Sequence, residues 1–245
     1  MYSLPLLLLL IALIANFILL YVITKSLSKT QLRIVFSFNL LNILICIMGQ
    51  IFQILFAEKF NIPPIYFDYF VYIGTCFLPI SVFFTGKIFV NTKIKFKKRY
   101  LLLFVIPIIS LILLWTNDFH HLFYINYSVN LSECIYGPYS IIHNVYSYLM
   151  LFIGLFYLLK YAIKNSGFFS KQSLLILLGI SIPVAINILG TFKIISMTIY
   201  YTPISFTLTI ILCALAIFKF NFLGATPIAL QKIVDRISDL SLIHI

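Results

Sequence analysis

Residues 201–239 read YTPISFTLTIILCALAIFKFNFLGATPIALQKIVDRISD, from Tyr201 to Asp239. The first half is an apolar run that ends at Phe218-Lys219. The chain then turns at Gly224-Ala225-Thr226-Pro227. Thr226 suits an N-cap, and Pro227 the first helical position, where a missing N–H costs nothing. Beyond it Leu230, Ile233, Val234 and Ile237 recur at i, i+3, i+4 and i+7 and make one apolar stripe. Lys232, Asp235, Arg236 and Asp239 lie off that stripe. A stripe only a few turns long cannot form a core alone and needs a partner. The stretch reads as a membrane span that hands over to an amphipathic connector helix.

The remainder of the chain agrees with a membrane setting. Of 245 residues, 62% are hydrophobic and only 9% charged, with a mean hydropathy of +1.11. A soluble domain carries about 25% charged residues, so most of this surface must face lipid. The net charge of +11 does not mark a nucleic-acid partner, because the basic residues sit in short loops between apolar runs. Spans need roughly 20 mostly apolar residues. Seven such runs are found, at about 2–24, 34–57, 64–90, 100–116, 138–164, 172–192 and 197–218.

The first run lacks the preceding positive charge and the small-residue cleavage site of a signal peptide; Lys25 and Lys29 follow it instead. With the N-terminus outside, 15 of the 17 basic residues fall on the cytoplasmic side, and only Lys59 and Lys193 lie outside. This asymmetry predicts an all-α integral bundle of seven transmembrane helices, N-terminus outside and C-terminus cytoplasmic. The domain organisation expected is a seven-helix region over 1–219, a cytoplasmic connector helix over 220–239 and a short tail over 240–245.

Polar groups within apolar spans single out candidate residues. In the second span Asn39, Asn42, Cys46, Gln50 and Gln53 follow helical spacing, forming one seam that faces the bundle. Such a seam serves interhelical hydrogen bonds or walls a pocket open to the outside. Asp68 is the one carboxylate close to a span interior, either an interfacial acid or a ligand or counter-ion group. His143 and Asn144 occupy the outer half of the fifth span, and His120 and His121 the longest external loop. Adjacent histidines point to different faces, so they make a poor metal site. The four scattered cysteines show neither metal-ligand spacing nor a disulfide framework. No metal or other cofactor is expected. Pro183 with Asn187 in the sixth span and Pro203 in the seventh suggest kinks, whose freed carbonyls hydroxyls or waters can satisfy.

Several local patterns together resemble a known family. They are Asn117-Asp118-Phe119-His120-His121-Leu122-Phe123-Tyr124 after the fourth span and Tyr136-Gly137-Pro138-Tyr139 opening the fifth. Gln172 to Gly179 follows, with Ile182-Pro183 and Asn187. Then come Thr202-Pro203-Ile204-Ser205-Phe206, Phe220-Asn221-Phe222-Leu223 and Pro227-Ile228-Ala229. In order and spacing they resemble the bacterial family of seven-helix regions found at the N-termini of histidine kinases, over essentially residues 1–239. The resemblance implies a sensory input region in the bacterial inner membrane, usually joined to a PAS domain and a histidine kinase or diguanylate cyclase output. Two departures stand out. Tyr200-Tyr201 precedes the Thr-Pro pair where such proteins often carry an acid, and the 240–245 tail reads as the abrupt end of a truncated product.

The expectation is a sensor, not an enzyme, since no catalytic motif is present. Gln50, Gln53, Asp68, His120, His121, His143 and Asn144 would receive a small ligand or a membrane stimulus. Pro183, Asn187, Pro203, Pro227, Ile233, Val234 and Ile237 would relay it, with the connector pairing in a homodimer. The alternative from another class is a stand-alone small-solute transporter or channel-like protein, although the halves show no convincing repeat.

Overall fold

The computed structural model describes residues 3–25, 30–91, 93–164, 167–220 and 223. Among them, seven helical stretches are long and apolar enough to cross a membrane. These are α1 (Ser3–Lys25), α2 (Gln31–Phe56), α3 (Ile65–Asn91), a 3-10 segment (Lys98–Phe104) running into α4 (Val105–Trp115), α6 (Pro138–Lys164), α7 (Gly167–Thr191) and α8 (Tyr201–Phe218). The all-α bundle expected from the hydropathy is thus present. The connector positions Pro227, Ile233, Val234 and Ile237, and the 240–245 tail, lie outside the described residues.

Two departures from expectation have local causes. The fourth span is not one regular helix. Pro107 has no N–H to donate to a preceding turn, and α4 begins so that this ring falls in its first turn, after the 3-10 segment. The loop expected after the fourth span is itself structured. It contains a short helix α5 (Asn117–His120) and an antiparallel ribbon of β1 (Tyr124–Asn126) with β2 (Ile135–Tyr136).

Six helices close into a ring, in the order α1, α2, α3, α6, α7, α8 and back to α1, while α4 packs outside against α3 and α6. The ring follows from where the small residues lie. In a membrane, helices associate by close packing rather than by escaping water, so small residues sit at their interfaces. A Cβ added at Gly86 of α3 would overlap the Gly154 carbonyl of α6, and one at Gly154 would lie 2.8 Å from the Val82 oxygen. Gly74 of α3 meets the Asn42 backbone of α2 in the same way. Helices α2, α3 and α6 therefore form one tightly joined unit.

At the lysine-rich end, side chains capture backbone that the helices leave unpaired. The Gln31 amide donates to the Ile94 carbonyl at 3.1 Å and accepts from its N–H at 2.8 Å. Lys87 of α3 lays its ammonium over the Tyr100 ring, 4.9 Å from the centroid. Where α8 ends, Gln172 of α7 donates to the Phe220 carbonyl, and Arg33 of α2 donates from Nε to the Leu223 carbonyl at 3.3 Å.

Candidate functional site

The polar seam of α2 faces inward as its spacing predicts: Asn39, Asn42, Cys46, Gln50 and Gln53 are all buried. Inside the ring it borders a cavity of about 180 Å³ walled by α2, α3, α6, α7 and α8. That volume exceeds the roughly 150 Å³ of an engineered cavity that admits benzene. Of the residues singled out from the sequence, Asn39, Cys46, Gln50, Asp68, His143, Asn144, Pro183, Asn187 and Pro203 line this one space.

Asp68 of α3 is only 4% exposed. Its carboxylate accepts a hydrogen bond from the Tyr124 hydroxyl at 3.2 Å, and the Tyr72 hydroxyl lies 3.0 Å from that of Tyr124. Tyr124 has one hydroxyl hydrogen, committed to Asp68, so Tyr72 is the donor in the second bond and a short relay ends on the carboxylate. Burial first, and then the nearby carboxylate, push the Tyr124 phenol well above its ordinary range, which keeps it a donor. His143 of α6 contacts Ser110 of α4 through Nδ1 at 3.0 Å. The Ser110 hydroxyl donates to the Ile106 carbonyl at 2.8 Å, which assigns the imidazole proton to Nδ1 and leaves Nε2 an acceptor.

Tyr124 reaches Asp68 because the loop is held by Asn117. The buried Asn117 amide accepts from the N–H of Phe123 at 2.9 Å and of Tyr124 at 3.0 Å, and donates to the Tyr124 carbonyl at 2.9 Å. Gly137 lets the chain cross over itself here, since a Cβ would overlap the Leu122 carbonyl. The loop then bridges to the segment just before α8. Leu131 donates to the Met197 carbonyl at 2.9 Å, and Ile199 donates to that of Val129 at 3.0 Å. Tyr124, Leu131, Tyr136 and Ile199 are the parts of this lid that wall the cavity.

The prolines differ in role. Pro183 stands inside α7, where its ring leaves the Gly179 carbonyl four residues back without a helical donor. The Thr209 hydroxyl of α8 donates to that carbonyl at 2.7 Å. Pro203 does not kink α8 as expected; it sits in the first turn, where no N–H is needed. The interior proline that the sequence reading passed over is Pro79 of α3, which also lines the cavity.

Gln53, His120 and His121 are not brought to the cavity wall. Gln53 stands behind it, its amide 3.3 Å from the Tyr127 hydroxyl and 3.4 Å from the Pro64 carbonyl. Both His120 nitrogens serve the loop: Nδ1 accepts from the Leu122 N–H at 3.0 Å, and Nε2 meets the Thr116 hydroxyl at 3.0 Å. His121 is exposed and caps α5 in the left-handed region, with φ 52°. Among the described residues no group of three or more His, Cys, Asp or Glu is placed to hold a metal ion.

The sequence profile of the N-terminal 7TM region of histidine kinase matches residues 7–227. The chain belongs to that family. No curated protein and no solved structure matches the chain. The family places it among the sensory membrane regions of histidine kinases, a non-catalytic part of such proteins. Within this 7TM region the cavity under the lid gathers Asn39, Gln50, Asp68, His143, Asn144 and Asn187 from the spans. Sequence reasoning missed Tyr72 and Tyr124 as groups at Asp68. Tyrosine is too common here to stand out, and only the lid brings Tyr124 to α3.

Proposed function

We propose that the chain is the input module of a sensor, in which occupation of the lidded cavity shifts α7 and α8 against the rest of the ring. The observation that carries this reading is the lid itself, which walls the cavity and is hydrogen-bonded to the segment just before α8. A ligand held between Asp68 and Tyr124 acts on the lid, and the lid acts on α8. Helices α2, α3 and α6 cannot slide easily where backbone meets backbone at Gly74, Gly86 and Gly154. The α7–α8 contact is looser: a Cβ at Gly179 would meet nothing nearer than 3.4 Å. A ligand moves such an equilibrium only by binding the two arrangements differently.

The output is a cytoplasmic kinase-type domain, reached through the helix that starts at Pro227 and pairs with its twin in a dimer. The bias of basic residues supports a cytoplasmic Lys93–Arg99 loop. A cysteine replacing Lys95 is expected to react with an impermeant maleimide only after the cells are opened, and one replacing Asp118 in intact cells. The reverse pattern would invert the topology. Ile233→Lys with Val234→Lys, in the 7TM region joined to a kinase domain, is expected to leave autophosphorylation unresponsive to stimulus, because two charges on the stripe disrupt its pairing. A response of wild-type size would refute the relay through this helix.

A further inference from the structure

We infer that the cavity takes a small organic ammonium ion, with Asp68 as its counter-ion; this names the ligand class of the site proposed above and rests on that reading. Among the described residues Asp68 is the only carboxylate on the cavity wall, and no lysine or arginine lines it. Its one side-chain hydrogen bond among the described residues comes from the neutral Tyr124 hydroxyl, whereas a carboxylate offers about four acceptor positions. A buried carboxylate is ordinarily paired with a positive charge. Among the described residues of the cavity wall there is none.

The other groups ask for donors as well. Gln50 is 2% exposed, lines the cavity, and its side-chain oxygen has no hydrogen-bond partner among the described residues. His143 presents Nε2 as an acceptor, whose one hydrogen-bond contact among the described residues is the Ser147 hydroxyl at 3.5 Å. An ammonium group carries up to three N–H donors, which matches these acceptors in kind. Aromatic rings complete the match. Tyr72, Tyr124, Tyr136 and Tyr148 all line the wall, and Tyr72 stands edge-on to Tyr124 at 88° with centroids 6.4 Å apart. Aromatic faces attract cations. A bare metal ion would leave most of the 180 Å³ unfilled against Val71, Leu151 and Val184, which also line it. An amine on a ring or a short alkyl body fills both halves.

The test is ligand binding by the purified chain in detergent, followed by calorimetry and by the shift in thermal unfolding. The probes are benzylammonium, phenethylammonium, the neutral isostere benzyl alcohol, and sodium ion. The expected result is saturable binding of the two ammonium ions and at least roughly tenfold weaker binding of benzyl alcohol, since a tenfold change is about 1.4 kcal/mol, less than one hydrogen bond to a charged group contributes. Asp68→Asn keeps an acceptor for Tyr124 and is expected to remove that preference for the charged probe. Gln50→Met, which breaks no existing bond of the Gln50 oxygen, is expected to weaken ammonium binding while the protein stays folded. Equal affinity for benzyl alcohol, a full thermal shift from sodium alone, undiminished preference in Asp68→Asn, or no binding of either ammonium ion would each overturn the proposal. The uncoupling experiment on Ile233 and Val234 reads the sensor function by itself, so either idea can fail without the other.

Discussion

Gly86→Ala is expected to destabilise the protein by about 3 kcal/mol, the upper part of the range for overpacking, whereas Gly179→Ala is expected to be neutral or stabilising. Both glycines lie inside helices, where alanine is favoured by roughly 1 kcal/mol. What separates them is the neighbour. The new methyl at Gly86 would overlap the carbonyl oxygen of Gly154 and crowd its carbon and Cα at 3.1 and 3.3 Å, all backbone of α6, so no rotamer change relieves it. At Gly179 it would touch the Leu212 Cβ at 3.4 Å and the Thr209 backbone beyond 3.5 Å, which is ordinary contact. Thermal unfolding of the two variants in the same detergent, followed by loss of the monodisperse peak, measures the difference. Equal midpoints would mean that α3 and α6 are free to separate, and the rigid half of the proposed switch would be lost.

Asn117→Ala is expected to open the lid, at a cost of about 3 kcal/mol. Each buried hydrogen bond contributes about 1 kcal/mol, and buried groups left unpaired cost more. The three bonds of Asn117 fix the Phe123-Tyr124 backbone, and Phe123, Tyr124 and Cys134 share a small apolar cluster with Leu114. Opening therefore exposes Cys134, which is 1% exposed in the closed arrangement. Burial, the main cause, raises the pKa of its thiol above the ordinary value. A raised pKa keeps the group protonated at neutral pH, and the thiolate is the reactive form. Release should thus speed maleimide labelling, through both access and a larger thiolate fraction. The gain must vanish in the double variant with Cys134→Ser, because the three remaining cysteines are buried in the spans. Unchanged labelling would show that Asn117 does not hold the lid.

His120 shows how a signal in the sequence can mislead. A histidine pair in a loop suggests a ligand site, yet both nitrogens of His120 are engaged within six residues of it. Pro203 misleads in the same manner. It lies within an apolar run, but the helix starts only two residues earlier, and a proline in a first turn breaks nothing.

The chain by itself determined the seven spans, because span length and apolar content depend on the bilayer rather than on neighbours. It also determined the inward seam of α2, because residues spaced at 3.6 share a face whatever that face meets. Asp68 and His143 were legible for a related reason: a polar group in an apolar run is costly wherever the helix packs. Only the tertiary structure decided which of these groups meet. Tyr124 joins Asp68 from 56 residues away, and Thr209 finds the carbonyl that Pro183 frees from 30 residues away. Those pairings depend on the order in which helices close the ring and on the path of one loop. No local spacing encodes them.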